Sequence, residues 1–450
     1  RRTPLSRSCK TTDFHPMFGL FASQETKMRE TAANWLEVAD KVWHFRRDVL
    51  TGQETGELRQ CTDELRQRLK AKAEAAKLKL SIESLEDVLR RTGGAIYPKS
   101  ALVENIEFLL VAAIVIIGVR TYFVQPFKIP TNSMWPTYNG MTPELFRQTA
   151  DEPGPLAVAA RAVALGAWPH RLDAPADGEI LIPFLGGSEN RGLVHCRIVP
   201  GHTWLVLPTQ LREYTLFVGD RPVTVQLPLD FDFDWVVADA FFGGATHRGP
   251  REFSNQIQAK INARAYETRL VDGQPTFCIR TGIMVKAGER ILSFDELTGD
   301  QLFVDRVTYN FIRPEVGQGF VFSTRNIPLI GQDQYYIKRL IGTPGDTIQI
   351  HEPMIYRNGQ PIAGAAAFGK NGRREGQYRG YYNGPAYNGA RYLLTDDEKL
   401  VVPANSFFAM GDNSGYSADG RYWGFVPAKE VIGRPLFIYF PLTKHWGPAR

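Results

Sequence analysis

Gln125-Pro126-Phe127-Lys128-Ile129-Pro130-Thr131-Asn132-Ser133-Met134-Trp135-Pro136-Thr137 follows directly on the most apolar run of the chain. Pro130 and Pro136 bracket Ser133 and hold the backbone around it extended. A serine held in this way is either a nucleophile or part of a stiff linker. The stretch alone does not choose between them.

The apolar run upstream, Phe108–Val119, has only the length of a core helix, whereas a bilayer span needs about 20 residues. Ala101–Val124 supplies that length if Glu104 and Glu107 lie at one interface and Arg120 snorkels at the other. Tyr122, Phe123 and Trp135 add interfacial aromatics. Residues 101–124 are therefore read as one transmembrane helix in contact with the lipid bilayer. Arg90, Arg91 and Lys99 precede it and only Arg120 and Lys128 closely follow. That bias predicts a cytoplasmic N-terminus, with the chain from Gln125 onward on the outer side.

The chain has 450 residues, 43% hydrophobic and 22% charged, which suits a globular protein of two or three domains. A net charge of +5 is too small at this length to argue for nucleic acid as a partner. The 41 glycines, 29 prolines and 12% aromatics favour turns and strands. The four cysteines include no C-x-x-C pair, so no zinc site is expected. Cys196 and Cys278 are either bridged or two lone buried thiols.

Before the apolar run, Met28, Ala32, Trp35, Ala39, Val42 and Val49 form one helical stripe. Leu58, Leu65, Leu69, Ala73, Ala76 and Leu80 form another, after a break at Gly52. Residues 1–100 are thus predicted as a cytoplasmic α-helical hairpin, closed by Gly93-Gly94. Residues 141–284 differ in character: Leu156–Leu165 is predicted as a helix. Strands are predicted at Glu179–Phe184, Leu193–Val199, Trp204–Leu207 and Tyr214–Val218, the last turning through Gly219-Asp220 into Val223–Leu227. This is an inserted α/β region of unassigned role. Within it Asp230, Asp232 and Asp234 alternate with Phe231, Phe233 and Trp235, the pattern of a strand with one acidic and one aromatic face. A solvated face is the expectation there, not a metal site.

From residue 285 the chain turns strongly β. Gly299-Asp300-Gln301-Leu302-Phe303-Val304-Asp305 is a turn and a strand. Tyr336-Ile337-Lys338-Arg339-Leu340-Ile341-Gly342-Thr343-Pro344-Gly345-Asp346 is a strand closed by a Pro-Gly turn. Gly411-Asp412-Asn413 opens a run through Ser417, Asp419 and Arg421 to Phe425-Val426-Pro427. With Pro130–Thr137 these make four blocks, and in this order behind an apolar helix they resemble the bacterial type I signal peptidases (leader peptidases), serine proteases with a Ser-Lys dyad. The resemblance covers 108–139 and 286–441 and leaves out the N-terminal helices and the insert. Asn132 stands where the family often has Gly, and Gly420 where it often has Ser.

The resemblance implies a mainly β ectodomain of coiled antiparallel sheets, with segments 125–140 and 285–450 forming the catalytic domain. It assigns Ser133 as nucleophile and Lys338 as general base. Thr131 and the Ser133 N–H form the oxyanion hole, Ser417 orients the lysine by a hydrogen bond, and Asp419 with Arg421 braces that wall. Phe127, Ile129, Pro130 and Ile337 line shallow apolar subsites suited to the small-x-small end of a signal peptide. The implied substrates are preprotein signal peptides, the location is the cytoplasmic (inner) membrane, and the secretion machinery is a further partner. No cofactor and no metal is implied.

The residues fit that chemistry on their own terms. A serine hydroxyl reacts only when a base takes its proton. A lysine at its reference pKa of about 10.4 is neutral in roughly one molecule in 2,500 at pH 7, so a lysine base needs apolar surroundings. Ile337 and Arg339 flank Lys338 on a strand and face the other way, which predicts a solvated Arg339 behind a greasy Lys338 site. Two other signals are set aside. Gly364–Asn371 falls short of a P-loop because Asn371 stands where Ser or Thr belongs, and it is read as loop. His351 would be needed for a Ser-His-Asp triad, but nothing in the sequence brings it to Ser133. A self-cleaving Ser-Lys repressor-type protease and a non-catalytic membrane scaffold binding through the insert are the alternatives.

Overall fold

The computed structural model describes residues 24–184, 193–203, 207–244, 250–384 and 390–449. The chain divides into two units, Arg1–Ile116 and Ile117–Arg450. Cys9 and most of the strand predicted at Trp204–Leu207 lie outside the described residues.

The first unit corrects the expected hairpin, because it holds three helices before the apolar one. They are α1 (Gln24–Arg46), α2 (Gly52–Lys70) and α3 (Ala75–Thr92). Thr51 begins α2 with a capping box: its hydroxyl accepts from the Glu54 N–H while the Glu54 carboxylate accepts from the Thr51 N–H. The second stripe is cut at Ala71-Lys72, where Lys72 turns to φ 51°. The packing face is then reset, so Leu78, Ile82, Leu85 and Leu89 enter the core and Leu80 stays exposed. Gly93 closes α3, as the Gly-Gly pair predicts. Next comes α4 (Ala101–Tyr122), long and apolar enough to cross a membrane, with none of its residues buried in the protein.

The second unit is mainly β, and every described strand pairing in it is antiparallel. Its main sheet uses β1 (Val124–Lys128), β2 (Gln301–Asp305), β3 (Gly319–Ser323), β4 (Tyr335–Gly342), β5 (Ser406–Met410), β6 (Val426–Pro427), β7 (Val431–Phe440) and β8 (Gly447–Pro448). Their order is β1-β2-β7-β3-β4-β5-β6, with β8 on β7. The strand carrying Lys338, β4, is therefore internal, and β1 is an edge. The Asn358-Gly359 hairpin joins Met354–Arg357 to Gln360–Pro361 in a separate four-stranded sheet with Thr347–His351 and Leu400–Val401.

The segment between the serine loop and the second block builds its own sheet. Gly178–Phe184, Cys196–Thr203, Leu207–Val218, Tyr266–Val271 and Gln274–Val285 are its strands, with Arg221–Pro228 paired to Leu207–Val218 through the expected Gly219-Asp220 turn. The Ala-rich helix is present as α5 (Pro155–Leu165). The acidic-aromatic stretch is not a strand. Asp230 lies in a turn, Asp232 caps a helix by accepting from the Asp234 N–H, and α6 (Phe233–Phe241) follows. The reason is burial on both sides of the stretch: Phe233, Val236 and Val237 fill the core of the insert, while Asp234 accepts the N–H groups of Leu193 and Val194 at 2.6 and 3.0 Å. A further helix, α7 (Pro250–Asn262), completes this region. Cys61, Cys196 and Cys278 are free thiols. Gly364–Asn371, read as loop, contains a short helix, α8 (Ala366–Gly372), pinned by the burial of Ala367 and Phe368.

Candidate active site

The serine loop is shaped before any chemistry is considered. Ser133 occupies a single 3-10 turn, Asn132–Met134, entered from extended Thr131. On one side the loop docks on the Gly299-Asp300 turn. The Ile129 N–H donates to the Asp300 carbonyl at 2.9 Å, and the Asn139 N–H donates to the Asp300 carboxylate at 2.8 Å. A Cβ on Gly299 would stand 1.8 Å from the Ile129 carbonyl oxygen, so only glycine lets the two backbones approach. Across the loop, the Asn132 side chain donates to the Met141 carbonyl at 2.7 Å and accepts from the Gly140 N–H at 2.9 Å. Asn132 therefore staples the loop closed, a role that its place in the motif does not announce.

Lys338 reaches this turn from β4, where it stands opposite Phe320 of β3. Its Nζ donates to Ser133 Oγ at 2.5 Å. Both residues are buried, with Ser133 8% and Lys338 4% exposed. The Tyr336 ring centroid, on the same strand face, is 5.7 Å from Nζ. Thr131 is half-buried one residue before the turn, and its hydroxyl does not cap it.

The third wall is the Gly411–Arg421 run. The Asn413 N–H donates to the Ser133 carbonyl at 3.1 Å, and its side chain donates to the Asn132 carbonyl at 3.0 Å. Asp419 and Arg421 are wholly buried and paired, with Arg421 Nε 2.9 Å from Asp419 Oδ1. Arg421 also donates to the carbonyls of Tyr382, Ser414 and Ser417, while Asp419 accepts the Gly411 N–H. Burial alone would lower the Arg421 pKa, but the Asp419 charge overrides it and the guanidinium is held above its ordinary value. Ser417 departs from expectation. Its hydroxyl is fully buried and has no hydrogen-bond partner among the described residues, so the bond to Lys338 is not made in this structure.

Arg339 is the second correction. It is 2% exposed, not solvated, because β4 is covered on both faces. Its guanidinium grips Asp412 at both oxygens, 2.7 Å from Nε to Oδ1 and 2.5 Å from Nη2 to Oδ2, and Nη1 donates to the Gly317 carbonyl at 2.6 Å. Asp412 also accepts from Thr137 Oγ1 at 2.6 Å, which ties this pair to the end of the serine loop. Strand alternation correctly separates Lys338 from Arg339 but says nothing about what covers the second face. The signal available was the acid of Gly411-Asp412-Asn413, which directly follows the apolar Phe407-Phe408-Ala409-Met410.

The expected substrate-contacting residues divide. Phe127 and Ile337 are half-buried and pack on one apolar cluster with Met134, and the Phe127 ring meets Tyr335 edge-on at 5.2 Å. Pro130 is exposed. Ile129 is not on the surface: it is 4% exposed and belongs to the core of that cluster, because its N–H must reach Asp300. His351 is half-exposed, 3.9 Å from Asp396, and takes no part in the Ser133 contact described above. Among the described residues no group of three or more His, Cys, Asp or Glu side chains could hold a metal ion.

Comparison with known proteins adds the following. The family described as "Signal peptidase, peptidase S26" matches residues 292–440. That span includes Lys338, Ser417, Asp419 and Arg421 and excludes Ser133, which the insert separates from it. A "Probable signal peptidase I-1" of Synechocystis is 34% identical over 152 residues, 33% of this chain and 66% of the relative, so slightly under two thirds of that relative is covered. "Signal peptidase I" of Bacillus licheniformis is 32% identical over 150 residues, 32% of this chain and 70% of the relative. A crystal structure of a signal peptidase I from Enterococcus faecalis aligns over 27% of this chain and 97% of its own length, at 27% identity and a TM-score of 0.21.

Proposed function

The chain belongs to the signal peptidase I family, peptidase S26, and from that premise we propose that it is a membrane-bound serine endopeptidase removing N-terminal signal peptides from exported preproteins. Ser133 is the nucleophile and Lys338 the general base. The observation that carries this reading is the 2.5 Å contact between Lys338 Nζ and Ser133 Oγ inside a buried site. With Lys338 in its amine form, Nζ takes the hydroxyl proton as Oγ attacks the scissile carbonyl. The same nitrogen returns that proton to the departing amine. The Ser133 N–H and the Thr131 hydroxyl receive the oxyanion. The unpartnered Ser417 hydroxyl accepts a hydrogen bond from Nζ once Ser133 Oγ has left it for the substrate. An otherwise orphaned buried hydroxyl fits such a temporary role.

The substrate lies extended along the free edge of β1, where backbone hydrogen bonds give affinity without demanding a sequence. Phe127, Pro130 and Ile337 supply the shallow apolar surface that admits small side chains. The helix α4 anchors the enzyme in the cytoplasmic membrane, N-terminus inward, with the serine segment starting directly after it in the chain.

Preprotein processing by the detergent-solubilised full chain tests this. Ser133→Ala and Lys338→Ala should each lower the cleavage rate by about 10³-fold or more. Cleavage of the chain only by itself would favour a repressor-type enzyme instead. Wild-type protein that cuts nothing would leave a membrane scaffold.

A further inference from the structure

Among the contacts of the insert with the serine loop and the Ser417 loop, one ring touches both. Trp235, on α6, is 7% exposed and lies between Trp135 and Tyr416. Its ring meets Trp135 edge-on with centroids 5.3 Å apart and an interplanar angle of 79°, and it meets Tyr416 at 5.6 Å and 73°. Trp135 leaves the serine turn and donates its N–H back to the Asn132 carbonyl at 3.1 Å. Tyr416 immediately precedes Ser417. The two loops are joined to each other by the Asn413 hydrogen bonds, and the Trp235 ring is wedged where they diverge.

We infer that Trp235 is a positioning residue for the Ser133–Lys338 reaction, and that the insert acts by holding the serine turn and the Ser417 loop in register. The side chain is well placed for that work and for little else. Its Nε1 is buried with no hydrogen-bond partner among the described residues, so no polar contact there accounts for a tryptophan. The helix beneath it is rigid: Val236, Val237 and Ala238 are fully buried in the insert core, and Asp234 is bonded to two backbone N–H groups. One side of α6 is thus fixed to the insert while Trp235 reaches the catalytic loops. Edge-on ring pairs are directional, so two of them fix the angle between the loops more tightly than apolar burial alone. Trp235 lies in the 141–284 insert, which the resemblance leaves out and the family match, 292–440, does not reach. The inference rests on the peptidase reading above.

The test uses three variants of the full chain in detergent with a preprotein substrate. Trp235→Ala should lower kcat about tenfold with KM changed less than about twofold, as expected for loss of two oriented ring contacts. Trp235→Phe, which keeps an edge, should recover most of that loss. Leu216→Ala, a core change in the insert away from α6, should lower the melting temperature and leave kcat alone. Wild-type kcat in Trp235→Ala, or an equal loss in Leu216→Ala, overturns the inference. A crystal structure of Trp235→Ala gives a readout independent of turnover. Ser133 Oγ should have moved out of hydrogen-bond range of Lys338 Nζ, and an undisturbed contact also overturns it. Wild-type protein that cleaves no preprotein would instead sink the peptidase reading, with the wedge then judged on that structure.

Discussion

Gly411 leaves no room for a side chain. A Cβ there would stand 2.2 Å from Ser417 Oγ and 2.3 Å from the Ser133 carbonyl oxygen, both well inside van der Waals contact. Gly411→Ala should therefore push the serine turn and the Ser417 loop apart and remove most preprotein cleavage while the fold persists; full activity in the variant would contradict the packing described. The neighbouring Asp412 acts differently. Removing its carboxylate leaves the Arg339 charge buried and unpaired, so Asp412→Ala should cost ~3–5 kcal/mol in chemical denaturation. In the site as a whole, Ser133, Lys338, Ser417, Asp419 and Arg421 were legible as members of the motif blocks that carry the family resemblance, because such blocks are written in residue types. Asn132 and Arg339 were not. Their roles depend on which backbone groups and acids lie opposite them, and a one-dimensional pattern does not contain that.

Among the elements, β4 and the turn after it show where local rules suffice. Thr343-Pro344-Gly345-Asp346 is a turn by composition, and it is closed by its own acid: Asp346 accepts the Thr343 N–H and hydroxyl, each at 2.8 Å, and the side chains of Arg357 and Asn358. Burial would raise the Asp346 pKa, but these hydrogen bonds outweigh it and bring it down to about 2. A carboxyl whose folded pKa lies below its unfolded value stabilises the fold above the unfolded pKa and loses that contribution as pH falls through the folded one. Stability should accordingly drop between about pH 4 and pH 2. Asp346→Asn should be less stable at neutral pH and show a shallower acid limb in urea titrations; an unchanged acid limb would refute the assignment. The helices show where local rules fail. The period-2 acids at Asp230, Asp232 and Asp234 satisfied a strand pattern, yet Asp232 is also a good helix cap, and the demand of the insert core for Phe233, Val236 and Val237 decided between them. The N-terminal stripe likewise ran on past Lys70 in sequence, although a left-handed Lys72 ends α2 and starts a third helix.

On the scale of the whole molecule, two units with separate cores should not melt as one. Leu85 is fully buried in the helical unit, so Leu85→Ala should cost ~2–5 kcal/mol there. Calorimetry should resolve two transitions and show only one of them displaced, with preprotein cleavage at 25 °C unchanged. A single transition that shifts as a whole would mean the units are energetically one. The sequence by itself determined the apolar helix, the β character of the second unit and the turns, because each follows from short-range composition and spacing; the proposed reacting pair, Ser133 and Lys338, was reached only through the resemblance of four motif blocks to a known family. Only the tertiary structure decided that Ser133 and Lys338, 205 residues apart, meet at 2.5 Å. It also decided that both faces of β4 are covered and that a ring from the insert stands against the catalytic loops. Those outcomes depend on closing a long chain around a shared core, where the partner of each side chain is chosen by packing and not by its neighbours in sequence.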